Sequence, residues 1–166
     1  LCEMTAHYLG GKAELLTKLI DQEYLLGDTL KARFLQSRFE TLMLGMDRIL
    51  SQHPTLRLDR WLSFAKKSAR TDAQRKQYEI NARRIVTIWG PPVDDYAARI
   101  WSGLIGNYYL GRWKEYYRGR ESGEPVNLAE WERRWVEENH DSYRWNTDFD
   151  IVSFAKERLA LSKDIS

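Results

Sequence analysis

Enzymatic chemistry is done mostly by carboxylate pairs, imidazoles and thiols, and this 166-residue chain gathers few of them in one place. Asp94 and Asp95 are adjacent and could be read as an acid and a base. They stand just ahead of a helical pattern, however, where an aspartate oxygen accepts a hydrogen bond from an orphan backbone N–H, so capping is the simpler role. His7, His53 and His140 are scattered, and His140-Asp141 is a local pair in a polar stretch. The single thiol, Cys2, cannot form an internal disulfide, and no cysteine or histidine spacing suits zinc. Glu121 and Glu124 read as solvated loop residues. There is no GxGxxG, GxxxxGK, GxSxG or HExxH, so phosphate cradles, nucleophile elbows and zinc hydrolase sites lose their best signals, and neither a metal nor a cofactor is expected.

One segment differs: Ile88-Trp89-Gly90-Pro91-Pro92-Val93-Asp94-Asp95-Tyr96. A tryptophan at a helix end, a rigid turn, and a tyrosine opening the next helix put two rings beside one loop, and loops between rigid helices present binding residues. Periodicity alone favours the other reading, in which Trp89 continues the Tyr78, Ala82, Ile85 stripe of its helix into the core. The chain holds 7 Trp and 9 Tyr. Most should fill the core, while a few are available as flat platforms for sugars.

The elements that position these residues read as helices throughout, because apolar residues recur at spacings of three and four and never alternate strictly. A first helix is expected over about Ala13 to Leu26, with Gly10-Gly11 bending the chain before it and Gly27-Asp28 as break and cap. The second runs from Asp28 to Ser51 with Leu35, Phe39, Leu42, Met46 and Ile49 on one stripe, and His53-Pro54 ends it. A third, from Leu58 to about Arg70, packs Trp61, Leu62, Ala65 and Ala69. Thr71 with Gln74 opens a fourth by capping-box logic, with Tyr78, Ala82, Ile85 and Trp89 as its stripe, until Gly90-Pro91-Pro92 stops it. A long helix from Asp94 or Asp95 to about Tyr117, a loop from Gly119 to Pro125, a helix starting at Asn127 and a last one over Asp150 to Leu161 complete the chain. The fold class is all-α, an irregular bundle of about seven helices in a single domain.

Composition narrows the function classes. The 26 basic and 24 acidic side chains are interleaved and leave a formal charge of only +2, which lacks the footprint of nucleic-acid binding. No run of about 18 apolar residues is present, so no membrane span is expected. The opening Leu-Cys-Glu-Met-Thr-Ala-His has neither an initiator methionine nor a signal-peptide pattern, and reads as a fragment whose upstream sequence is missing.

Tyr78-Glu79-Ile80-Asn81-Ala82-Arg83 followed by Ile85-Val86-Thr87-Ile88-Trp89-Gly90-Pro91 resembles the YExNAR…xTxWGP run of the α-N-acetylglucosaminidases of glycoside hydrolase family 89. Asp95-Tyr96-Ala97, Trp101-Ser102-Gly103-Leu104, Asn107-Tyr108-Tyr109 and Arg112-Trp113 continue the family's series in order, and Met46-Asp47, Arg57-Leu58 and Trp61-Leu62 echo it upstream. The resemblance implies an all-helical C-terminal domain, residues 1–166, that closes one side of a substrate cleft. The N-terminal domain and the catalytic barrel would lie outside this chain, and the retaining carboxylate pair on that barrel. Trp89 and Tyr96, with Val93 near them, match residues that line the N-acetylglucosamine pocket, whereas Arg83 and Arg112 match arginines with structural pairing roles. The implied partners are the barrel of the same polypeptide and a glycan ending in α-linked N-acetylglucosamine, and the implied setting is lysosomal, secreted or periplasmic. The chain departs from the family in a compact turn between Trp89 and Tyr96, and in Gly111 where a proline often precedes the Arg-Trp pair.

Three readings follow. The first is an accessory, cleft-closing domain of a glycosidase, inactive alone. The second is a free-standing helical protein–protein interaction module, and the third an independent carbohydrate-binding module with its own sugar affinity.

Overall fold

The computed structural model describes residues 1–89, 97–138, 145 and 147–165. Among them are seven α-helices: α1 (Cys2–Leu26), α2 (Thr29–Leu50), α3 (Leu58–Lys66), α4 (Asp72–Ile85), α5 (Leu110–Ser122), α6 (Leu128–Glu138) and α7 (Ile151–Leu161). A 3-10 turn at Pro54–Leu56 precedes α3, and a π-helix at Leu104–Tyr109 leads into α5. The all-α single domain expected from the spacing is what forms.

Helix α1 begins at Cys2, not near Ala13, and carries Gly10 and Gly11 in its interior. Its buried residues Ala6, Leu9, Ala13, Leu16 and Ile20 are spaced 3-4-3-4, one unbroken stripe laid against α2. That burial outweighs the cost of about 1 kcal/mol that each glycine imposes on a helix. The α1–α2 hairpin turns at Gly27, whose φ of 80° suits a residue without a Cβ. Asp28 then caps α2 by accepting the Lys31 N–H at 2.9 Å. Leu35, Phe39, Leu42, Met46 and Ile49 are all buried, as their spacing requires.

Two apolar clusters make the interior. The first joins α1, α2, α5 and α7, and the second joins α3, α4, α6 and the π-helix. Ile105 of the π-helix belongs to the first cluster, while Leu104 and Tyr108 belong to the second. A single turn of wide helix therefore holds the two halves of the domain together.

The long helix expected from Asp94 or Asp95 does not form as such. Residues 98–101 are irregular, Ser102 makes an isolated parallel bridge with Arg57, and helix begins only at Leu104. The cause is Asp47 of α2, which is fully buried. Its carboxylate accepts hydrogen bonds from Ser102 Oγ at 2.9 Å, Gly103 N at 2.7 Å, Gly106 N at 2.6 Å and Trp145 Nε1 at 2.5 Å. The first backbone N–H groups of a helix lack intrahelical partners and carry partial positive charge, so a carboxylate from another helix can fix where the new helix begins. At its far end α5 runs through Gly119 to Ser122, so Glu121 is helical and not a free loop residue: it accepts from Tyr24 at 3.0 Å and pairs with Arg33 at 3.1 Å.

Gly11 is exposed in the middle of α1, and a Cβ there would meet nothing within 4 Å. Gly11→Ala should stabilise the domain by about 0.5 to 1 kcal/mol and raise Tm by roughly 1 to 4 °C, as read by thermal and urea unfolding. A loss of stability would mean that α1 is interrupted at Gly10-Gly11 in solution.

Candidate functional site

Helix α4 delivers the chain to the Trp89 turn. Thr71 opens it by accepting the Gln74 N–H at 3.2 Å, and the Gln74 side chain returns to the Arg70 N–H at 2.8 Å, one residue short of the reciprocal bond of a capping box. The buried face is offset from the expected stripe. Ala82 is buried as expected, but its companions are Arg83, Val86 and Thr87, while Ile85 and Trp89 face outward.

Arg83 explains the offset. Its side chain is 1% exposed, stacks over the Trp135 ring at 4.9 Å, and donates through Nη2 to Glu79 Oε1 at 2.8 Å. Lys66 Nζ reaches the other oxygen of Glu79 at 2.6 Å, so α3 and α4 are clamped by one carboxylate. Nη1 of Arg83 has no hydrogen-bond partner among the described residues. Burial raises the Glu79 carboxyl, but the hydrogen bonds and charges of Lys66 and Arg83 outweigh it and hold the group below its ordinary value. Arg112 has the matching role on α5, pairing with Glu132 of α6 at 2.8 Å and lying over the Tyr108 and Tyr109 rings at 5.4 and 5.5 Å.

Beyond α4 the chain coils tightly. Thr87 Oγ1 donates to Arg83 O at 2.7 Å, and the Trp89 N–H returns to Arg84 O at 2.7 Å, a bond of the kind that closes helix C-termini. Trp89 is 45% exposed and has a φ of 33°, the one left-handed non-glycine among the described residues. A bulky side chain in that region is strained, and such strain collects where a side chain is aimed for a purpose. The alternative that Trp89 extends the α4 stripe into the core is not what the fold shows. Val93, Tyr96, the expected caps Asp94 and Asp95, and the His140-Asp141 pair lie outside the described residues.

Gly111 proves to be a packing residue and not only a matter of helix geometry: a Cβ there would stand 2.7 Å from Trp131 Cζ2, so α6 approaches α5 through the space that the glycine leaves. Among the described residues no cluster of His, Cys, Asp and Glu is arranged to hold a metal ion, and no helix is long and apolar enough to cross a membrane.

Residues 1–165 match the family model described as the C-terminal domain of α-N-acetylglucosaminidase (NAGLU). The chain belongs to that family. It is 36% identical over 75 residues to human α-N-acetylglucosaminidase, a stretch covering 44% of this chain and 10% of the human protein. The fold matches a family 89 glycoside hydrolase of Clostridium perfringens in complex with 2-acetamido-1,2-dideoxynojirmycin, with a TM-score of 0.85 and 23% identity over 97% of this chain. A second structure of the Clostridium perfringens enzyme, bound to its substrate GlcNAc-α-1,4-galactose, matches with a TM-score of 0.85 and 23% identity over 96% of the chain. The domain spans about a fifth of those bacterial chains (20% in each).

Asp47 and Trp145 are the structural contributors that sequence patterns missed. The available signal was an aspartate set directly beside Met46, within the apolar stripe of α2.

Two outcomes follow from this geometry. Because the Glu79 pKa is lowered, its contribution is present above the ordinary value of 4.5 and is lost as pH falls through the lowered folded value. Glu79→Gln should be less stable than the parent at pH 7, with the gap closing toward pH 3 in urea titrations; a gap independent of pH would show that the ion pairs contribute nothing. Trp89→Ala should cost less than about 1 kcal/mol, against about 3 to 5 kcal/mol for Trp135→Ala in the core. Equal losses would return Trp89 to a core role.

Proposed function

We propose that this domain is the accessory, C-terminal part of a larger α-N-acetylglucosaminidase. In this reading it closes the substrate cleft against a catalytic barrel of the same polypeptide, and lines the N-acetylglucosamine pocket during retaining hydrolysis of terminal α-linked residues. The observation that carries the proposal is the family match over residues 1–165. It is supported by the exposed, left-handed Trp89 at the end of α4, an aromatic face of the kind that stacks on a sugar. In this reading Tyr96 supplies a second ring and a hydroxyl, and Val93 an apolar side chain, as the family resemblance implies.

Retaining hydrolysis needs a nucleophile and an acid/base about 5 Å apart across the scissile bond. Both are assigned to the barrel. The domain's share is to exclude water and orient the ring, which raises the worth of every polar contact that the barrel makes.

The test uses the full-length enzyme and the isolated domain with an aryl α-N-acetylglucosaminide. The isolated domain should show no turnover above background. In the full-length enzyme, Trp89→Ala should lower kcat/KM by about 5- to 150-fold, that is by about 1 to 3 kcal/mol of transition-state stabilisation, with little change in Tm. Tyr96→Phe keeps the ring and isolates the hydroxyl. Turnover by the isolated domain, lost on changing one of its own carboxylates, would overturn the proposal.

A further inference from the structure

An α-helix continues only while each N–H finds the carbonyl four residues back. At the end of α4 two successive carbonyls are taken by side chains instead. The Ala82 carbonyl, which a continuing helix would give to the Val86 N–H, accepts Trp61 Nε1 at 2.9 Å. The Arg83 carbonyl, which would go to the Thr87 N–H, accepts Thr87 Oγ1 at 2.7 Å. Both backbone donors are moved on by one residue: the Val86 N–H to Arg83 O at 3.3 Å and the Thr87 N–H to Arg84 O at 3.2 Å. Val86 accordingly leaves the helical range, with φ −98° and ψ 7°. Two residues later Trp89 stands at a φ of 33°, its N–H bonded to Arg84 O at 2.7 Å.

Thr87 is at the centre of this arrangement. It is wholly buried, Val86 before it is buried as well, and Ile88 after it packs partly against the second apolar cluster. A threonine hydroxyl is suited to the task because it reaches the carbonyl one turn back and competes there with the backbone donor. Trp89, by contrast, is 45% exposed. The buried hydroxyl thus decides how the last turn coils, and the coil decides on which side of α4 the ring emerges.

We infer that Thr87 is a positioning residue for the Trp89 ring: its hydroxyl occupies the carbonyl that a continuing helix would use, and thereby aims the ring at the sugar. This rests on the pocket reading of Trp89. A valine at position 87 keeps the branched shape but sets a methyl where the hydroxyl was. A carbon approaches a carbonyl oxygen no closer than about 3.3 Å, so a contact that closes at 2.7 Å must open by about half an ångström. The Arg83 carbonyl is then available to the backbone, and position 89 can relax out of the left-handed region. A displacement of about 1 Å away from the chemistry can cost as much as 100-fold in rate.

The test is steady-state kinetics of the full-length enzyme on an aryl α-N-acetylglucosaminide, at a temperature where circular dichroism shows each variant folded. Thr87→Val should lower kcat/KM by roughly 3- to 30-fold. Thr87→Ser, which keeps the hydroxyl and loses only the methyl, should stay close to the parent. Leu16→Ala, a core truncation in α1, serves as the stability control and should match the parent per folded molecule. In a Trp89→Ala background Thr87→Val should add little, because the ring that it positions is gone. If Thr87→Val does not fold, Thr87→Ala removes the hydroxyl without setting a methyl against the carbonyl and is read by the same criteria. With Trp89→Ala impaired, any one of three results overturns the inference: Thr87→Val behaving like Leu16→Ala, Thr87→Ser as impaired as Thr87→Val, or Thr87→Val costing as much without the Trp89 ring as with it. An unimpaired Trp89→Ala single variant instead overturns the pocket reading, and this inference with it.

Discussion

The Asp47 carboxylate is the contact on which the remaining architecture depends. A charged group taken wholly out of water is costly, and burial pushes its pKa up from the ordinary aspartate value. Four donors from Trp145, Gly106, Gly103 and Ser102 oppose that cost. They also bring together three parts of the chain that are remote in sequence: α2, the segment leading into the π-helix, and the approach to α7. Without the carboxylate, the Gly103 and Gly106 N–H groups would lose the acceptor that they share, and an N–H left buried and unpaired is destabilising by about 1 to 3 kcal/mol. A helix starting earlier would satisfy them but would draw Ser102 away from Leu56 and Leu58.

The π-helix then links the two apolar clusters. It places Ile105 in one apolar cluster and Leu104 and Tyr108 in the other, so the two halves of the domain are joined through this segment. π-helical turns are rare and are often found at functional sites, because the packing around them must offset their poorer geometry. Here that packing includes Trp135, whose indole N–H donates to Asn107 Oδ1 at 2.8 Å, and the edge-on contact of Trp135 with Tyr108 at 4.8 Å. Most of the unusual aromatic content is used in this way. Trp113 stacks on Tyr117 at 5.5 Å, and Phe39 meets both edge-on at 6.0 and 6.2 Å, closing the first cluster.

Against this background Trp89 is the exception. It is neither packed like Trp135 nor shielded like Tyr108, and its backbone is in a region that bulky residues avoid. The residue follows directly on a helix end secured by Thr87 and by the buried Arg83–Glu79–Lys66 clamp. A strained, exposed ring on a rigid support is a geometry suited to meeting a ligand without paying to order the chain on binding.

Local pattern by itself determined the helical class, the α2 stripe, the caps at Asp28, Thr71 and Asn127, and the family, because spacing, turn chemistry and motif order are properties of neighbouring residues. It could not determine the course of α1 through Gly10-Gly11, where burial of a long stripe overrides glycine's intrinsic cost. Nor could it place the start of the helix after the Trp89 turn, which is set by a carboxylate more than fifty residues upstream (Gly103 and Gly106 lie 56 and 59 residues from Asp47). The orientation of α4 was likewise a tertiary decision. Periodicity offered Tyr78, Ala82, Ile85 and Trp89 as one face. The partner surface instead provided Glu79 a lysine and Arg83 an indole, and turning the helix to satisfy those charges is what left Trp89 facing outward.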